Sequence, residues 1–195
     1  DIFYFYPFAP ESNQQWVKML KRTLRVFPFG NLAFSVVKLN NKLPGYESHI
    51  ITYNHPPANE TLESVFAYTH PLFELTEGEE ELGKRMLRDL GIPDEASFIC
   101  FHTRDSVYLD KQFPGVDWSY HDFRDTSIVN YIPAIEKMVG PKSFAVRLGS
   151  FVNEKLKITN PAIIDYATNG KRTEFLDIYL GAKCRFFVGT GTGIS

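Results

Sequence analysis

A chain of 195 residues, 44% hydrophobic and 23% charged, is ordinary globular material: one large domain or two small ones, with a sizeable core within reach. A formal net charge of −2 excludes an overall basic footprint for nucleic acid, and no apolar run of about eighteen residues supplies a membrane-spanning helix. Cys100 and Cys184 fall in or beside apolar runs. Without a Cys-x-x-Cys, a Cys/His cluster or a His-Glu-x-x-His they read as buried free thiols of a reducing compartment, with no zinc site. No secretory pattern opens the chain, which fits a cytoplasmic location.

Ile2-Phe3-Tyr4-Phe5-Tyr6 reads as a strand closed by Pro7 and Pro10. Ser12 with Gln15 forms a capping box, and Trp16, Leu20, Leu24 and Phe27 follow at helical spacing. Lys18, Lys21, Arg22 and Arg25 lie mostly off that stripe. A basic amphipathic helix over residues 12–27 is either a solvated face above a core stripe or a peripheral contact with the inner membrane surface. Phe34 to Leu39 suits a strand or a helix, and Pro44-Gly45 and Pro56-Pro57 mark turns. Residues 1–75 are expected to form a small N-terminal α/β lobe.

From Thr76 the pattern is clean. Thr76 with Glu79 is a second capping box; Leu82, Met86, Leu87 and Leu90 form an apolar face, Gly91 stops the helix and Pro93 follows. Phe98-Ile99-Cys100-Phe101 is a continuous apolar run, as in a strand buried on both faces of a parallel sheet. It leads into His102-Thr103-Arg104-Asp105. Residues 105–125 read as a long polar and aromatic loop, a length usually tied to function. A helix is expected over 128–139, with Pro133 in its first turns or kinking it, then strands at 143–148 and 162–165. A helix at 173–182 and a last buried-type strand at 185–188 complete the order β-α-β-β-α-β, a mostly parallel, Rossmann-like sheet with flanking helices over residues 76–195. The chain stops two residues past a Gly-rich loop, where a helix normally follows, so the sequence is expected to continue beyond Ser195.

Ligands of open α/β sheets bind beyond the carboxyl ends of the strands. Arg104 stands at one such end with a planar fork of donors suited to two phosphate oxygens. His102, two residues earlier, shares its strand face and either hydrogen-bonds a ligand or orients the loop. The last strand runs into Gly189-Thr190-Gly191-Thr192-Gly193, whose glycines let backbone approach an anion and whose threonines add hydroxyls. Asp165 at its strand end reads either a base or ribose, or closes an Asx turn. Asp177 sits among apolar neighbours and needs a partner. No Asp-x-Asp pair offers ligands for a metal-bridged diphosphate.

Several strings taken together resemble a family: Phe101-His102-Thr103-Arg104-Asp105, His121-Asp122-Phe123-Arg124, Tyr131-Ile132-Pro133-Ala134-Ile135, Arg147-Leu148-Gly149-Ser150, Phe175-Leu176-Asp177-Ile178-Tyr179-Leu180 and Lys183-Cys184-Arg185-Phe186-Phe187-Val188-Gly189-Thr190. They look like a group of bacterial glycosyltransferases of polysaccharide-synthesis clusters, related to the fucosyltransferase superfamily of GT-B enzymes. The segments Tyr6-Pro7-Phe8-Ala9-Pro10 and Leu43-Pro44-Gly45 are similar to that group too. The resemblance implies a GT-B enzyme whose C-terminal Rossmann half binds a nucleotide-sugar without metal or other cofactor, GDP-linked or another. Arg104 would match the donor-phosphate arginine, His102 its neighbour, Asp177 the acid that contacts the nucleotide, and Thr190, Gly191 and Thr192 the phosphate loop. The chain departs from the family at Asp105, where a second basic residue is usual, and at Gly191-Thr192, where a Ser-Ser pair is usual.

Two functions follow from these readings. In the first, Arg104 and the 190–193 backbone stabilise a departing diphosphate, and Asp105, Asp110, His121 or Asp122 handles the proton of a glycan or polysaccharide acceptor. In the second, the same pocket belongs to a non-catalytic nucleotide- or glycan-binding module.

Overall fold

The computed structural model describes residues 2–4, 13–27, 29–46 and 73–190, in two compact units, Asp1–Leu75 and Thr76–Ser195. In the first unit, strand β1 (Ile2–Tyr4) pairs in parallel with β2 (Arg25–Phe27), with helix α1 (Gln14–Thr23) between them in the chain. Helix α2 (Gly30–Asn40) follows, so the Phe34–Leu39 segment is helical, and Gly45 turns the chain at φ +83°.

Three expectations for this unit are corrected. The N-cap of α1 is Asn13, whose carboxamide oxygen accepts the Trp16 N–H at 3.0 Å; Ser12 lies outside the described residues. The buried positions of α1 are Gln15, Val17 and Met19, while Trp16 stays 39% exposed with its ring 4.6 Å from that of Phe73. The stripe of Trp16, Leu20, Leu24 and Phe27 also breaks at its end, because pairing with β1 draws residues 25–27 out of the helix. The turn at Pro56-Pro57 and the segment 5–10 lie outside the described residues.

The second unit opens on α3 (Glu77–Asp89). Thr76 and Glu79 make the reciprocal capping box, and Gly91 at φ +89° ends the helix, with Ile92 N–H returning to the Leu87 carbonyl. Strand β3 (Ser97–His102) buries Phe98, Ile99, Cys100 and Phe101 in succession, as a strand covered on both faces must. Short helix α4 (Val107–Gln112), a 3-10 segment at Ser119–Arg124 and another at Ile128–Tyr131 lead into α5 (Ile132–Met138), with Pro133 in its first turn. Strands β4 (Ser143–Arg147) and β5 (Ile163–Ile164), helix α6 (Glu174–Lys183) and strand β6 (Phe187–Gly189) complete the order. Residues 105–125 are therefore not one irregular loop: they carry a helix and a 3-10 turn.

All pairings in the four-stranded sheet are parallel, in the order β5-β4-β3-β6, which is compatible with a Rossmann-like fold. On one face Ile99, Phe101, Ala145 and Ile163 pack with Ile128 and Ile135. On the other, the Cys100 thiol approaches the Leu180 carbonyl of α6 at 3.6 Å, so α5 and α6 cover opposite faces. Two expectations fail at the last strand. Phe186 is 46% exposed and Phe187 and Val188 half-buried, because β6 is an edge strand among the described residues. Cys184 is half-buried at the C-cap of α6, outside the core that encloses Cys100.

Among the described residues no helix is long and apolar enough to cross a membrane.

Candidate functional site

The chain winds from β3 through β4 to β5, then returns to lay β6 on the opposite side of β3. The order reverses at β3, and such reversals open a crevice at the carboxyl ends of the two strands that flank them. Here those ends are His102-Thr103-Arg104 and Gly189-Thr190.

Close pairing of the two ends requires glycine. Gly189 sits opposite His102, and a Cβ there would fall 2.1 Å from the His102 carbonyl oxygen. Two residues beyond β3 and one beyond β6, the Arg104 N–H donates to the Thr190 hydroxyl at 2.8 Å. On the β4 side, His102 Nδ1 lies 3.0 Å from the Leu148 carbonyl, which selects the tautomer protonated at Nδ1. Burial lowers the His102 pKa, outweighing the Leu148 carbonyl and Asp105, so the ring is neutral at pH 7.

The Arg104 side chain turns toward the segment that follows β3. Its Nη1 donates to the His121 carbonyl at 2.9 Å and lies 3.3 Å from Asp125 Oδ1, while the Arg104 carbonyl accepts the Thr126 N–H at 3.2 Å. Both guanidinium contacts use Nη1. The fork thus has further N–H donors for a ligand. Asp125 was not among the residues singled out by sequence: it lies in non-periodic chain, and its one signal is the run His121-Asp122-Phe123-Arg124-Asp125. Burial raises its pKa, with Arg104 opposing and Asp122 and Asp105 adding to the rise.

Beside this arginine, at the ends of β3 and β4, opens a cleft of about 300 Å³ lined by Thr103, Asp105, Asp125, Ser127, Arg147 and Glu154 among others. Asp105 Oδ2 accepts the Asn153 N–H at 3.0 Å and holds the far wall. Arg147, buried at 3% exposure, donates to the Glu154 carbonyl at 2.7 Å and lies 3.5 Å from Asp165.

The remaining sequence candidates stand apart from this centre. Asp110 and Asp122 are exposed, on α4 and on the 3-10 turn. The His121 ring stacks against Trp118 and lies 4.0 Å from the Tyr120 ring; partial burial, then Arg124 and Arg104, lower its pKa. Asp165 is held inside the protein: Oδ2 accepts the Leu156 N–H at 2.9 Å and the Thr168 hydroxyl at 2.7 Å, closing a turn after β5. Asp177, buried at the start of α6, is paired with Arg172 at 2.5 Å, and burial raises its pKa against the pull of that cation. Thr190 belongs to the site; Gly191, Thr192 and Gly193 lie outside the described residues. Among the described residues no group of three or more His, Cys, Asp or Glu side chains converges as around a metal ion.

No protein-family model, curated protein or solved structure matches the chain.

Proposed function

We propose that residues 76–195 bind the diphosphate of a nucleotide-sugar at the β3 and β6 ends, and that the protein transfers the sugar to a glycan or polysaccharide acceptor. In this reading it is a metal-independent glycosyltransferase of the GT-B type, related to the fucosyltransferases. One observation carries the reading: the arginine just beyond β3 and the hydroxyl just beyond β6 meet at the point where the strand order reverses, with 2.8 Å between Arg104 N and Thr190 Oγ1.

During transfer the acceptor oxygen bonds to the anomeric carbon as the bond from that carbon to the phosphate oxygen breaks. The charge that develops on the departing diphosphate falls on the Arg104 fork and on the β6 end. The acceptor proton passes to a carboxylate of the adjoining cleft. Asp125, whose pKa burial raises, is the carboxylate we assign to that role. Neutral His102 holds the β3 end to Leu148 and adds no charge.

Calorimetric titration with GDP, UDP and the other nucleoside diphosphates, followed by transfer assays with the matching donor sugars, tests this reading. Binding of one diphosphate and transfer that survives chelator are expected. Failure of every diphosphate to bind at millimolar concentration removes the reading.

A further inference from the structure

The segment between β3 and α5 carries a strip of aromatic rings. Phe113 lies 5.9 Å from Trp118, Trp118 is 6.0 Å from Tyr120 and stacks on His121 with planes 11° apart. Tyr120 is 62% and Phe123 83% exposed, far more ring surface than a loop needs for its own packing. The neighbouring cleft has the opposite character. Its lining carries the carboxylates of Asp105, Asp125 and Glu154, the hydroxyl of Ser127 and the carboxamide of Asn153, with Ile128 as its apolar contact. Its guanidinium, on Arg147, is spent on the Glu154 carbonyl and Asp165.

Strip and cleft meet at one atom. Arg104 Nη1 binds the His121 carbonyl of the strip and the Asp125 carboxylate of the cleft. Arg104 is paired with Asp125 and Arg147 with Asp165, so the carboxylates of Asp105, Asp125 and Glu154 leave the cleft net negative; it repels a phosphate or a uronic acid and accepts hydrogen bonds from neutral hydroxyls. Exposed rings offer flat apolar faces. A pyranose presents both complements, a rim of hydroxyl donors and two faces of C–H bonds. A cleft of about 300 Å³ is at the small end of ligand sites, so a longer ligand must continue onto the strip.

We propose that the cleft and the aromatic strip together bind a chain of neutral sugars, one ring in the cleft and the following rings on Trp118, Tyr120 and Phe123. Its role as the acceptor rests on the proposed glycosyl transfer; the binding does not.

Affinity electrophoresis tests it, with native gels cast with neutral polysaccharides of several linkages (dextran, galactomannan, xyloglucan) or with anionic alginate and polygalacturonate. Retardation is expected in at least one neutral gel and in neither anionic gel. Tyr120→Ala and Phe123→Ala alter exposed rings and should leave folding intact. Each should weaken the retardation roughly fivefold to tenfold. Glu154→Gln should weaken it at the cleft end. No retardation in any neutral gel, retardation in anionic gels alone, or unchanged retardation in all three variants overturns the proposal. So does Tyr120→Ala lowering nucleoside diphosphate affinity, which would assign the strip to a nucleobase. Abolition by Tyr120→Ala of a dimer seen by light scattering would also overturn it, assigning the strip to a second copy. Neutral-glycan retardation without diphosphate binding would leave the site standing and remove only glycosyl transfer.

Discussion

Gly83 of α3 lies directly against the ring of Tyr179 of α6: a Cβ at Gly83 would sit 2.1 Å from the nearest ring carbon. The two helices approach closely because one residue has no side chain. Tyr179 is held there, buried, with its hydroxyl 3.5 Å from Glu80 and Glu80 paired with Lys183 at 2.5 Å. Gly83→Ala gains about 1 kcal/mol of helix propensity but overpacks the contact, which costs typically 1–3 kcal/mol. A lower midpoint in chemical unfolding is expected. A stabilised variant would show that the helices separate freely.

Arg104 supplies the second prediction. Hydrogen bonds to charged groups contribute about 1.5–3 kcal/mol, and loss of an oriented transition-state donor costs on the order of a hundredfold in turnover. Arg104→Ala should therefore lose diphosphate affinity and transfer. Arg104→Lys should recover little, since the planar fork is gone. Arg25→Ala, in β2 of the first unit, serves as the control and should leave calorimetric affinity unchanged. If both Arg104 variants bind and turn over within about twofold of the parent, the phosphate assignment is wrong.

Asp165 separates a structural role from a ligand-reading one. It faces the buried Arg147 guanidinium across 3.5 Å, and removing one partner of a buried pair costs about 3–5 kcal/mol. Asp165→Ala should lower thermal stability by that order; Asp165→Asn, which keeps an acceptor for the Leu156 N–H, should lower it less. A variant with unchanged melting and reduced nucleotide affinity would assign Asp165 to the ligand instead.

Cys184 gives a pH-dependent readout. Its pKa is lowered to about 7, chiefly because the Cys100 thiol can donate to it, while the buried Cys100 is held neutral by the same contact and by desolvation. In the structure Cys100 Sγ lies 3.6 Å from the Leu180 carbonyl and Cys184 Sγ 3.3 Å from the Gly181 carbonyl. A thiol whose folded pKa lies below its unfolded value adds stability that is complete above the unfolded pKa and lost as pH falls through about 7. Alkylation should select Cys184, with a rate inflection near pH 7. In Cys100→Ala the inflection should rise toward the ordinary thiol value of about 8.5. An inflection that stays put excludes the thiol contact.

The central part of the second unit was legible in the sequence for physical reasons. The four-residue apolar run of β3 fits a strand covered on both faces, and the Thr76 and Glu79 pair with Gly91 defines both ends of α3 through hydrogen bonds local to the chain. Arg104 and Thr190 could be singled out as strand-end residues, but the bond between them spans 86 residues and follows from strand order, which local patterns do not encode. Asp125 and the cleft were hidden for the same reason. They arise where the 119–127 segment folds back on β3, and 3-10 turns carry no amphipathic period. The α1 stripe misled because Leu24 and Phe27 continue a helical spacing that pairing between strands overrides.

The placement of β3 in the middle of its sheet also orders events in time. Its contact with the β4 side, His102 to Leu148, closes 46 residues, whereas Arg104 to Thr190 closes 86. Near-doubling the loop adds only about 0.6 kcal/mol to closure, yet β6 must also wait for α6 to form and dock. Among the described residues β6 has β3 as its sole strand neighbour, as β5 has β4, so the two edges of the sheet are expected to open ahead of β3 and β4 in native fluctuations. Amide exchange should then be faster at Phe187–Gly189 than in β3 and β4, and a diphosphate bound as proposed should slow those amides. In the proposed reading, then, one wall of the diphosphate site is an edge strand that the ligand would fasten.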